Sequence, residues 1–179
     1  MSELEVRKFL ETFVREKEHV LRELLDETQY SYLEEAEQGL IDRELCLLSG
    51  PAHPLLPEGL VFEAFFRDRG FRSCELFVRI ISPPKSPEYV PDSISVWSLL
   101  LEERGERLAL TWAYATGRFH RDPRLLVCAF EQVGEGLVRK LEELRAQREQ
   151  IRSQPSYQEA LERIWSRIVL LSEEERWGS

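Results

Sequence analysis

The chain has 179 residues, 42% hydrophobic and 32% charged, with a formal net charge of −9. That length suits one folded domain, long enough to bury about two-thirds of the surface its unfolded form exposes. No run approaches the ~20 apolar residues that span a bilayer. The negative balance also argues against nucleic acid as the main partner, because phosphates need a concentrated cationic face.

Ser2-Glu3-Leu4-Glu5 is a capping-box pattern, with Ser2 accepting from an early backbone N–H and Glu5 reaching back. Phe9, Leu10, Phe13, Val14, Val20, Leu21, Leu24 and Leu25 follow at helical spacing. The stripe weakens through Tyr32, Ala36 and Leu40, so residues 1–48 read either as one long helix to about residue 47 or, the preferred reading, as two helices with the second capped at Asp26 or Thr28. Glu3, Glu5, Arg7 and Lys8 give the start of the chain no apolar signal core, which predicts a cytoplasmic protein.

Gly50, Pro51, Pro54 and Pro57 end that region, since proline cannot continue a helical ladder. Residues 59–116 then change to a period of two, the pleat of half-buried strands. Leu60 to Phe66 and Phe71 to Ile81 flank a turn at Asp68-Arg69-Gly70. A stiff loop from Pro83 to Pro91 follows, and its Tyr89 is a candidate partner contact. Ser93 to Leu101 and Arg107 to Ala115 make a second hairpin around Arg104-Gly105. In its last strand Leu108, Leu110, Trp112 and Tyr114 are expected on one face. The small residues Ala109, Thr111, Ala113 and Ala115 are expected on the other, leaving room for a helix or a cavity.

Residues 124–130 read equally well as a short strand or as the start of a helix. Leu137, Leu141, Leu144 and Ile151 trace one helical seam, a candidate homodimer face over residues 137–151. Pro155 interrupts it, Ser156-Tyr157-Gln158-Glu159 is a second capping box, and Leu161, Ile164, Trp165, Ile168 and Val169 carry a final helix. The expected molecule is a single α+β domain over 1–179. Its order is ααββββαα, with a four-stranded antiparallel sheet of two hairpins flanked by an N-terminal and a C-terminal (130–172) helix pair.

The segment from Gly117 to Arg124 is the most site-like stretch. Arg118, His120, Arg121 and Arg124 in seven residues suit a carboxylate or phosphate, which arginine can grip with two hydrogen bonds. His120 with Asp122 has the composition of an oriented base. Trp177 is a further candidate for contact with another chain, whereas Trp97, Trp112 and Trp165 are expected in the core. Gly134-Glu135-Gly136 lacks the third glycine and the βαβ unit of a dinucleotide loop. The histidines at 19, 53 and 120 and the cysteines at 46, 74 and 128 have no metal-ligand spacing. No metal, cofactor or catalytic residue is expected, and Cys74 reads as a small buried hydrophobe.

Charge is unevenly spread. Residues 1–44 carry 13 acidic and 6 basic side chains, while 104–124 are net basic. The absence of asparagine and the scarcity of lysine match a GC-rich, bacterial coding sequence. Together these features predict a non-enzymatic protein-binding domain, an adaptor, secretion chaperone or immunity protein. Its acidic helices and basic 117–124 loop would meet a partner, itself basic where it faces those helices. The alternative is a small-molecule sensor or enzyme with a pocket between the small-residue sheet face and a covering helix, Arg118, His120 and Arg121 guarding its mouth.

Overall fold

The computed structural model describes residues 1–29, 44–51, 54–82 and 92–177; side chains at 29, 51, 92–93, 151 and 169–177 lie outside that description. Helix α1 (Glu3–Gln29) precedes strands β1 (Glu44–Pro51), β2 (Val61–Gly70), β3 (Ser73–Ser82), β4 (Asp92–Arg104) and β5 (Arg107–Gly117). Helices α2 (Pro123–Arg152) and α3 (Pro155–Trp177) complete the chain. All five strands form one antiparallel meander in sequence order. The α+β class is as the periodicity implied. The element count is not.

The first difference is β1, where a helix was expected. Its apolar residues Leu45, Leu47 and Leu48 suit either period, and pairing decides: Leu45 sits opposite Phe66 and Leu48 opposite Ala64. The second is that α1 runs uninterrupted to Gln29, so neither Asp26 nor Thr28 is a cap. Thr28 Oγ1 donates back to the carbonyls of Leu24 and Leu25, and Asp26 pairs with Arg72 at 2.6 Å. The expected second helix then falls in 30–43, outside the described residues. The third concerns residues 124–130, which are helical. Asp122 Oδ1 accepts from the N–H groups of Arg124 and Leu125, a cap immediately before Pro123.

The β2–β3 turn also moves by two residues. Gly70 pairs with Ser73, leaving Phe71 and Arg72 at the tip with φ of 51° and 57°. Two positive φ values match the right-handed twist of a tight hairpin. Arg72 is held in this conformation by Asp26 and Glu103, each at 2.6 Å.

Helices α1 and α2 cover one face of the sheet. Phe62, Ala64 and Phe66 of β2, Leu76, Val78 and Ile80 of β3, and Trp97, Leu99 and Leu101 of β4 bury against Leu10, Leu21 and Leu24 of α1 and Leu126, Phe130 and Val133 of α2. Phe130 is the hub: the rings of Phe13, Phe9 and Trp97 meet it edge-on at 4.9, 5.9 and 6.1 Å. Leu137, Leu141 and Leu144 belong to this same core. The seam read as a homodimer face is therefore buried within its own chain at those three positions, and Ile151 lies outside the described side chains. Cys74 is fully buried as expected, and that burial, followed by the nearby Asp68 charge, pushes its thiol up to about 12.

Gly136 lets α2 lie against β1. A β-carbon there would stand 2.9 Å from the Leu47 carbonyl oxygen, a backbone atom that cannot swing away. Gly136→Ala should therefore lower stability by about 1–3 kcal/mol, although alanine is the better helix former by about 1 kcal/mol. Urea unfolding checks this. An unchanged or raised midpoint would show that the helix is free to withdraw.

Acidic α1 is neutralised within the molecule. Glu3, Glu18, Glu23, Asp26 and Glu27 pair with Arg121, Arg107, Arg145, Arg72 and Arg148, and Glu11 pairs with Arg7. Pairs of this kind contribute about 0–1 kcal/mol each, so they orient α1 more than they hold it. Six of the eight acidic side chains of α1 are thus met by arginines of the chain itself, while Glu34, Glu35, Glu37 and Asp42 lie outside the described residues.

Candidate functional site

The 117–124 segment is a structural joint. Gly117 adopts φ of 109° because the backbone of Ile94 and Ser95 passes directly against it. Arg118 N–H donates to the Ile94 carbonyl, Phe119 N–H to Ser95 Oγ, and Trp97 Nε1–H to the His120 carbonyl. The His120 ring is tied as well. Its Nδ1 lies 2.7 Å from the Gly117 carbonyl, which can only accept, and its Nε2 accepts from Arg121 Nε at 3.1 Å. In that arrangement Nδ1 donates and Nε2 accepts, so the lone pair a base would use is already engaged. Asp122 faces α2 rather than His120.

Arg121 turns to Glu3 at 2.7 Å. Arg118 and Arg124 are exposed, with no ion-pair partner among the described residues. The four predicted site residues therefore do not converge on one point. Tyr89 lies outside the described residues, as does the side chain of Trp177. Trp165 is 62% exposed on α3, not core. Among the described residues no group of three or more His, Cys, Asp or Glu side chains is placed to hold a metal. No described helix is long and apolar enough to cross a membrane.

Strand β5 is where the structure departs furthest from simple alternation. Leu101 pairs with Leu110 but Leu100 with Trp112, leaving Thr111 as an extra residue whose hydroxyl donates to the Leu100 carbonyl at 3.2 Å. Such a bulge shifts the side-chain phase by one. Leu108 and Leu110 face the helices, and beyond Thr111 it is Ala113 and Ala115 that do so. Trp112 and Tyr114 point to the opposite face, 50% and 48% exposed, with rings stacked at 5.7 Å. The expectation that Trp112 lies in the core is thus overturned.

That opposite face has two halves. Across β1–β3 it is a charge lattice: Arg67 pairs with Glu44 and Glu75, and Arg79 with Glu63. Arg67 also stacks on Phe77 at 4.6 Å. Across β4–β5 the stretch of Val96, Ser98 and Leu100 beside Trp112, Tyr114 and Thr116 is uncharged, and it gives way to the Glu102–Arg104 pair at the hairpin end. The uncharged half runs out to the free edge of β5.

The two sheet edges are treated differently. On β1 a bulge near Leu47, the guanidinium of Arg139 on the Leu47 carbonyl and the tight approach of α2 occupy the edge. On β5 Glu18 reaches over from α1, accepting from Leu108 N–H at 2.7 Å and pairing with Arg107 at 3.0 Å. Beyond Leu108 nothing comparable follows among the described residues. Instead an open cleft of about 360 Å³ lies beside the edge, lined by Val6, Arg7 and Leu10 of α1 and by Ala113, Ala115 and His120. A larger groove of about 680 Å³ between α1 and α2 has Phe9, Phe13 and Phe130 at its base and charged residues around its rim.

Glu18 makes the edge contact testable. Its carboxyl is held below the ordinary 4.5, first by the Leu108 N–H and then, against partial burial, by Arg107. A group whose folded value is depressed stabilises fully above its unfolded value and loses that contribution as pH falls through the folded one. Glu18→Gln should therefore be less stable than wild type at pH 7, with the gap closing below about pH 4.5. Urea midpoints at pH 7 and pH 3 check this, and a pH-independent gap would contradict it.

Comparison with protein-family models, with curated proteins and with solved structures found no match. The residues that sequence reasoning missed as surface, Trp112 and Tyr114, did leave a signal. From Leu108 to Gly117 runs a stretch of ten uncharged residues bracketed by Arg107 and Arg118.

Proposed function

We propose that this chain is a non-enzymatic protein-binding domain whose contact surface is the β4–β5 half of the open sheet face. The observation that carries the reading is the exposed, stacked Trp112–Tyr114 pair on an uncharged strand at the sheet edge. Large aromatics concentrate contact energy where they can be desolvated. Natural edge strands are usually guarded by charge, proline, a bulge or a covering element; among the described residues β5 past Leu108 has only the Thr111 bulge. The adaptor, secretion-chaperone and immunity roles all remain compatible with such a surface. Neutralisation of α1 moves the proposed contact away from the acidic helix, and with it the case for a basic partner. Three free thiols, at Cys46, Cys74 and Cys128, support a reducing bacterial cytoplasm as its setting.

A photo-reactive phenylalanine analogue at position 114, in the full chain expressed in its source organism, tests this. It should crosslink to a discrete polypeptide, while the same probe at Lys8 should not. No adduct from 114, or equal yields from both positions, would contradict the reading. The cleft beside Ala113 and Ala115 favours a second reading, a small apolar ligand, though Arg118 and Arg121 do not guard it. Saturable binding of small apolar molecules that leaves 114 crosslinking unchanged would favour that alternative.

A further inference from the structure

Glu18 marks which backbone groups of β5 face outward. In an antiparallel ladder alternate residues direct both backbone groups to the same neighbour. Leu108 N–H points to Glu18 and so to the free edge. Leu110 shares that orientation, and with Thr111 inserted, Ala113 and Ala115 continue it. Trp112 and Tyr114 lie in the alternate positions, turned to β4. So oriented, the N–H groups of Leu110, Ala113 and Ala115 face away from β4, and no backbone hydrogen bond outside the sheet ladder reaches them among the described residues.

An extended chain laid along this edge would find a surface on each side of itself. Its side chains pointing towards the helices would enter the cleft between α1 and Ala113–Ala115. Those pointing the other way would lie against Trp112 and Tyr114. Past the end of the strand stands Arg118, exposed and without an ion-pair partner among the described residues.

We propose that a peptide segment of a partner protein adds to β5 as a sixth strand, with an uncharged alternating core and carboxylates at the end beside Arg118. The proposal rests on the protein-binding reading and names its geometry and partner chemistry. Strand addition draws affinity from main-chain hydrogen bonds and selectivity from alternate side-chain pockets, and β5 offers both. A second copy is the less suited occupant. Antiparallel pairing of two β5 edges about Ala113 would bring the Arg107 end of one copy to the Arg118 end of the other, like charges at both ends of the junction.

The test uses the whole 179-residue chain and two pools of ten-residue peptides. Both have randomised cores of valine, isoleucine, threonine and alanine; one carries two glutamates at an end and the other two lysines. Selection should favour the glutamate pool at least tenfold. N-methylation of every second amide in one of the two phases should weaken the best binder at least tenfold. Ala113→Pro should do the same with its circular dichroism retained, because proline is tolerated on an edge strand where its missing N–H faces outward. Failure to select any peptide, equal enrichment of the pools, or indifference to N-methylation in both phases would overturn the proposal. So would a micromolar dimer in sedimentation that Ala113→Pro dissociates. Crosslinking from position 114 to a host polypeptide alongside indifference to N-methylation would overturn strand addition alone, leaving protein binding in place.

Discussion

Trp97→Ala should lower stability by about 3–5 kcal/mol, the range for emptying a large aromatic site in a packed core. Trp97 is fully buried on β4, edge-on to Phe130, and its Nε1–H donates to the His120 carbonyl at 3.2 Å. Truncation removes the ring contacts, leaves a cavity under α2 and strands a carbonyl in the joint between β5 and α2. In a chain of this length each kcal/mol lost lowers Tm by roughly 2–4 °C. Calorimetry reads the drop directly. A loss under about 1 kcal/mol would mean that the ring is not where the core depends on it. Trp97→Phe separates the contributions, since it keeps most of the volume while removing the donor.

Gly117→Ala should be comparably severe for a different reason. The residue sits at φ of 109°, outside the conformations open to alanine, and a β-carbon would lie 2.6 Å from Ser95 Cα and closer still to the Ile94 carbonyl. Backbone strain of this kind costs about 1–3 kcal/mol, and relief of the clash requires β4 and β5 to separate where the sheet hands over to α2. The variant should unfold at markedly lower urea, with the 118–121 hydrogen bonds lost first. Wild-type stability would show that Gly117 is not pressed against β4.

Both substitutions strike the segment that the sequence marks as a site. Clustered arginines, a histidine, a glycine and an Asp-Pro pair have the composition of a binding loop. They also have the composition of a strand-to-helix joint: a glycine for positive φ, an aspartate cap, a proline in the first turn and one arginine, Arg121, that meets the acidic helix at Glu3. Residue type alone does not separate the two. Partners do, and those partners, Ile94, Ser95, Trp97 and Glu3, lie 20 or more residues away in the chain.

The same limit explains the other differences. The hairpins β2–β3 and β4–β5 were legible because period-two patterning is local and strong. Strand β1 was not, because Leu45, Leu47 and Leu48 take their conformation from pairing with β2. The Thr111 bulge was invisible because the apolar-polar rhythm runs through it unbroken; only the register against Leu100 and Leu101 inverts the strand from Trp112 onward. On α3 the apolar spacing predicted a helix correctly and burial incorrectly. Trp165 and Ile168 lie on a helix that leaves them 62% and 47% exposed.

The account comes down to whether β5 beyond Leu108 presents free backbone. Residue-resolved amide hydrogen exchange in the 179-residue chain measures this without a partner. Ala113 and Ala115 should exchange rapidly while Trp112 and Tyr114, bonded to β4, stay protected, and Leu108 should be slow at neutral pH through Glu18. Protection at Ala113 and Ala115 equal to that of their neighbours would mean that the edge is already filled, and the proposed docking strand would have no place to bind.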